Sequence, residues 1–179
     1  MAEFSRPLRL AEIPAEGLSL ELDATADECA AVVRRLGLLS LGRLHGQLSI
    51  KPIARGGLAL TGTLQADVEQ SCVVTMEALP SEVSRPLNLR FLNEEAFRQY
   101  ESLQEDPLDG PDVEPMPDEI LDLGELLVEE LSLAVDPYPR REDASIARAD
   151  LGSDGVSDSA EDKAPSPFAV LEGLAGKTR

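Results

Sequence analysis

Residues 118–140, DEILDLGELLVEELSLAVDPYPR, constrain the fold more than any other stretch. Leu123, Leu126, Leu127, Leu131 and Ala134 recur at three- and four-residue spacing, which puts them on one face of a helix. Glu125, Glu129 and Glu130 fall on the remaining surface. Asp122 stands where an N-cap belongs, and Glu125 three residues later allows a capping box. The stop is equally explicit. Each proline of Asp136-Pro137-Tyr138-Pro139 lacks an N–H donor and disfavours helix in the residue before it. A helix over 122–135 with one apolar face and polar flanks needs something to cover. The chain before it must supply a sheet.

That sheet is legible in the two-residue period of 58–68, where Leu58, Leu60, Gly62, Leu64, Ala66 and Val68 alternate with Ala59, Thr61, Thr63, Gln65 and Asp67. Leu44, Leu48, Ile50 and Ile53 suit a long preceding strand, and the Gly-rich turn at 54–57 makes the two an antiparallel pair. Upstream, Phe4, Leu8 and Leu10 mark an extended segment whose Pro7 argues for an edge or a bend. Leu18, Leu20 and Leu22 form a half-buried strand. Thr25 and Glu28 cap a helix over 25–37, with Cys29, Val32, Val33 and Leu36 inward and Gly37 as its stop. Downstream, EQSCVVTMEA at 69–78 continues or restarts the strand, Leu79-Pro80-Ser81 breaks it, and Val83, Leu87, Leu89 and Phe91 begin another. A short helix over 94–101 turns Phe97 and Tyr100 inward. The expected class is α+β: a largely antiparallel sheet with two main helices packed on it.

Charge divides the rest. Residues 1–60 balance seven acids against seven Lys and Arg, whereas residues 61–122 carry fifteen acids and three arginines. From 101 to 122 there are nine acids, no basic residue and four prolines. Such a stretch reads as a flexible acidic linker. The domain map is therefore a β-rich core with one helix at 1–100, the acidic linker at 101–119, the helix completing the core at 120–140, a disordered tail at 141–165, and a short docking segment at 166–179 carrying Phe168, Val170, Leu171 and Leu174.

Catalytic chemistry is scarce. His45 is the only histidine, and no nucleophile motif surrounds it. The glycines at 56, 57 and 62 are not followed by the Gly-Lys-Ser/Thr of a phosphate loop. Cys29 and Cys72 lie far apart, which describes neither a disulfide framework nor a structural zinc site needing about four ligands. No cofactor and no metal are expected. No apolar run reaches the roughly eighteen residues of a membrane span, and no signal-peptide pattern opens the chain, so a cytoplasmic setting is expected. A net charge of −18 repels phosphate backbones at long range, and 3% aromatic content offers little base-stacking surface.

Three segments carry a resemblance. SCVVTMEALP at 71–80, followed by Val83 and an apolar strand, resembles the central motif of the YceD family, the large ribosomal RNA subunit accumulation proteins. The helix and proline stop at 122–140, after an acidic linker, resemble that family's C-terminal helix, and Ser166-Pro167-Phe168-Ala169-Val170-Leu171 resembles its closing tail. Thr75 stands where many relatives have a second cysteine. The resemblance implies a non-enzymatic role in large-subunit biogenesis, in the synthesis, processing or stability of 23S ribosomal RNA.

Joined to the charge pattern, this predicts a partner: a basic large-subunit ribosomal protein or a pre-ribosomal particle. Opposite charge would speed encounter, and apolar contacts would give specificity. The residues expected to meet it are Cys72, Thr75, Glu77, Glu105, Asp106, Asp109, Asp112, Glu114, Asp118, Glu119, Leu123 and Leu127. The alternative is direct ribosomal RNA contact through a patch gathered from Arg34, Arg35, Arg43, Lys51 and Arg55.

Overall fold

The alternating residues take their places in three long strands, seen in a computed structural model that describes residues 3–103 and 110–144. In chain order the elements are β1 (Pro7–Arg9), β2 (Leu18–Asp23), α1 (Ala26–Leu36), β3 (Ser40–Ile53), β4 (Gly57–Ser71), β5 (Ala78–Leu92), α2 (Glu94–Leu103), β6 (Asp112–Pro115), β7 (Ile120–Asp122) and α3 (Leu123–Ala134). One sheet has the order β2-β3-β4-β5-β6, antiparallel except where β6 runs parallel to β5, and β1 pairs with β7 in a small second sheet. The fold class is α+β.

Register puts the apolar residues in rows. Ile50, Leu60 and Leu89 lie side by side, as do Leu58 and Phe91, and all five are buried. The opposite face carries Gln47, Thr61, Thr63, Gln65 and Asn88, exposed to water. A bulge between Leu41 and Arg43 resets the alternation, so that Leu41 and Leu44 are both buried despite their three-residue separation.

The helices cover the apolar face. In α1 the Thr25 side chain accepts from the Glu28 N–H while the Glu28 carboxylate accepts from the Thr25 N–H at 2.8 Å, a complete capping box. Gly37 ends the helix at φ +67, the left-handed region glycine enters without a Cβ clash. Cys29 and Val32 are buried as expected. The apolar face of α3 approaches β3 so closely that Gly46 has no room for a side chain: an added Cβ would fall 2.5 Å from Leu127 Cδ1.

The N-terminal segment ties α1 to α3. Phe4 is fully buried, and the Arg6 guanidinium lies 4.5 Å above its ring while pairing with Glu28 at 2.6 Å. Asp122 Oδ1 accepts from the N–H groups of Arg6, Gly124 and Glu125, and Oδ2 accepts from the Ser5 hydroxyl. Asp122 is thus the N-cap of α3, without the reciprocal half of a capping box. Glu125 is drawn instead to Arg35 of α1 at 2.6 Å.

Four sequence expectations are corrected. Residues 72–77 form the turn between β4 and β5 rather than strand, and Leu79-Pro80-Ser81 lie inside β5. Pro80 and Pro86 are tolerated because β6 pairs only with Leu89–Leu92, which leaves the rest of β5 without a neighbour on that side. The linker expected to be flexible at 101–119 contains the end of α2 and the strand β6, which closes the sheet edge with Met116 N–H donating to Leu92 O at 2.7 Å. Glu130, assigned to the helix surface, is buried because Arg85 Nε of β5 meets it at 2.7 Å. The remainder of the linker, 104–109, and the tail beyond Ala144 with the docking segment 166–179 lie outside the described residues.

Candidate partner-binding site

The β4–β5 turn is built without Gly, Pro, Asn or Asp. Cys72 N–H donates to Glu77 O at 2.8 Å, and Met76 N–H donates to Cys72 O at 2.9 Å. Closing the turn this way puts Met76 at φ +62, the one positive φ outside glycine among the described residues. The left-handed region crowds the Cβ of an L-residue, so this turn carries local strain.

The chain leaving α3 runs back along this turn. Gln70 Nε2 donates to Asp136 O, Val73 N–H to Pro139 O, both at 2.8 Å, and Arg141 pairs with Glu77. The proline stop therefore does more than end the helix. It delivers an extended segment to the hairpin tip.

Cys72 lies at the join, sealed from solvent. The Thr75 hydroxyl, the Arg141 N–H and the Thr75 N–H, the last at 3.5 Å, all favour its thiolate. They outweigh the burial that raises a thiol and, with the Val74 N–H, hold its pKa at about 6. Around this sealed sulfur the surface is apolar: Val73, Met76 and Tyr138 are 52%, 75% and 77% exposed.

A second feature is the acidic edge of the sheet. Glu114 on β6 comes near Glu129 and Glu130 of α3 and Asp112 of its own strand. Burial first, then repulsion from Glu129, Glu130 and Asp112, push the half-buried Glu114 carboxyl above its usual range. Asp118 and Glu119 are exposed just before β7.

The expected contact residues therefore separate. Cys72, Thr75 and Glu77 share the tip, with Thr75 and Glu77 exposed and Cys72 enclosed. Asp112, Glu114, Asp118 and Glu119 belong to β6 and the approach to β7, and Glu105, Asp106 and Asp109 lie outside the described residues. Leu123 and Leu127 are core, not contact, residues: they are buried against the sheet, where a helix with one apolar face must put them. Val73, Met76, Tyr138 and Arg141 were not anticipated. The signal for Tyr138 was an aromatic held between two prolines, which fix it outside any helix.

The basic residues are not gathered. Arg34 and Arg35 sit in the last turn of α1, where Arg35 is held by Glu3 and Glu125. Arg43 and Lys51 stand eight residues apart on β3, roughly 26 Å by strand rise. Arg55 falls in a 3-10 turn at Ala54–Gly56, between β3 and β4. His45 Nδ1 lies 2.8 Å from Asp23 Oδ1 on the sheet face away from the helices. Among the described residues no group of three or more His, Cys, Asp or Glu is placed to hold a metal ion, and no helix is long and apolar enough to cross a membrane.

Fold and surface define a small α+β domain with an acidic sheet edge and an apolar hairpin tip. Its family is equally definite. The model of the large ribosomal RNA subunit accumulation protein YceD matches residues 60–175, from within β4 past α3. That is more than half of the chain, which belongs to this family. Membership ties it to accumulation of large-subunit ribosomal RNA, in a family not known for enzymes. No curated protein and no solved structure matches the chain.

Proposed function

We propose that this protein supports large-subunit ribosomal RNA accumulation by binding a basic ribosomal protein, free or within a pre-ribosomal particle, rather than by catalysis. The observation that carries this reading is the acidic edge. Glu129 and Glu130 of α3 and Asp112 of β6 lie close enough to Glu114 to push its carboxyl above the usual range, and Arg85 is the one cation among the described residues seen bonded to this group, at Glu130. A surface with that much uncompensated charge lowers its energy when a cation-rich partner covers it, and it steers such a partner inward. RNA would be repelled by the same field, so an effect on 23S ribosomal RNA synthesis, processing or stability would pass through the protein partner.

The test is capture with the tagged full-length chain from growing cells, analysed for protein and RNA before and after ribonuclease. Basic large-subunit proteins retained after ribonuclease support the proposal. Ribosomal RNA recovered with all protein partners lost on digestion would refute it in favour of direct RNA binding.

A further inference from the structure

Five of the six large apolar residues left exposed among the described residues lie at one end of the sheet: Leu39, Val73, Met76, Leu133 and Tyr138. Backbone and side-chain bonds hold them there. Leu39 N–H donates to Glu69 O at the end of β4, Val73 N–H to Pro139 O, and Gln70 to Asp136 O, three residues past Leu133. Beside them, where the first half of β5 runs past the end of α3, a groove of about 570 Å³ is lined by Gln70, Ser81, Val83, Arg85, Leu133 and Asp136. Exposed apolar residues scattered singly need no explanation, but a cluster beside a groove marks an interaction surface.

Charge identifies the occupant. The segments that make the surface, 69–86 and 133–143, carry six acids and three arginines; Arg85 is already matched by Glu130, and Arg141 by Glu77 and Asp143. A second copy would bring the same six acids against themselves. An RNA or an anionic lipid surface would be repelled. We infer that this tip docks a basic polypeptide segment, whose apolar side chains meet Val73, Met76 and Tyr138 and enter the groove while its lysines and arginines meet the surrounding carboxylates. The inference rests on the proposed function and adds to it the anchor: the acidic edge attracts the partner, and the tip holds it. Met76 fits this role. It keeps a left-handed backbone that a glycine would adopt without strain, and it presents a methionine, a residue enriched at interface cores, to solvent.

That geometry supplies a clean variant. Met76→Gly removes the side chain while relieving the backbone, so it should not lower the melting temperature. Combined with Tyr138→Ser, it is tested in the full chain against the proteins extracted from purified large ribosomal subunits, each identified and titrated separately. The expected result is that the wild type binds at least one basic protein and the double variant binds it about thirtyfold more weakly, the effect of losing an interface hot spot. Equal binding by the two would overturn the tip as anchor and leave the proposed function standing. No binding of any large-subunit protein by the wild type would overturn both. Self-association of the wild type that the double variant loses would instead assign the tip to a second copy. Binding of large-subunit RNA that the variant loses would assign it to nucleic acid. Either outcome would refute the inference.

Discussion

Gly46 offers a quantitative test of how α3 seats on the sheet. It faces the helix from the central part of β3, between Leu22 on β2 and Leu64 on β4. A Cβ placed there lies 2.5 Å from Leu127 Cδ1 and 2.8 Å from Cδ2. Carbon pairs prefer about 3.5–4.0 Å, so Gly46→Ala requires a displacement of about 1 Å. Leu127 is fully buried within the hydrophobic core, so it cannot swing out to solvent to make room. With a rigid neighbour strand on each side, the methyl should cost about 1–2 kcal/mol as overpacking. The sign is informative, because in open space the same change would stabilise by roughly 0.4–1 kcal/mol through the unfolded chain. Leu127→Ala alone should cost about 3 kcal/mol, within the range for a leucine deleted from a core. In the double variant the new methyl projects into the space the leucine vacates, so the total should fall short of the sum by at least about 1 kcal/mol. Urea unfolding with a common slope measures all three values. Additivity within about 0.5 kcal/mol, or a stabilising Gly46→Ala, would refute this account of how the helix is seated.

Two further outcomes follow from the bonds at the site and at the helix start. Because the folded state holds Cys72 at about 6 while the unfolded thiol titrates near 8.5, the unfolded state binds more protons between those values, and the thiolate contribution rises with pH. The stability advantage of wild type over Cys72→Ala should therefore be larger at pH 9 than at pH 5.5 in thermal unfolding, and a difference independent of pH would show that the thiolate is not favoured. Asp122→Ala removes the cap of α3 and orphans the Arg6 N–H, so it should cost about 2–3 kcal/mol by urea unfolding, with Asp122→Asn costing about half of that.

The parts of the fold legible in the sequence are those decided by neighbours a few residues apart. The alternation of β4, the Thr25–Glu28 capping box, the stop at Gly37 and the apolar face of α3 are of this kind, and each appears in the structure within a residue or two. What escaped was decided by distant partners. β6 is four residues, preceded by Pro111 and ending on Pro115, and it is a strand only because β5 leaves its last residues unpaired on one side. Glu130 reads as a surface charge until Arg85, 45 residues away, is brought beneath it. The turn at 72–77 contains Val, Val and Thr, which favour strand, and its reversal depends on a left-handed methionine that no composition rule would nominate. The candidate site shows the same division. Cys72, Thr75 and Glu77 stood out as a motif, whereas Tyr138 and Arg141 join them only because α3 ends where it does.

This dependence gives Cys72 a physical role. A thiol closed to solvent is poorly placed to act on a soluble reagent, and its donors come from two segments almost seventy positions apart: Thr75 and Val74 within the turn, Arg141 from the chain beyond α3. An acceptor shared in this way fastens one segment to the other, with Gln70–Asp136, Val73–Pro139 and Glu77–Arg141 as further ties. The exposed Val73, Met76 and Tyr138 form a surface only while those ties hold, since Tyr138 belongs to one segment and the other two to the turn. A change at the sulfur would then alter the spacing of those three side chains, and with it the docking surface proposed above, although Cys72 itself stays enclosed.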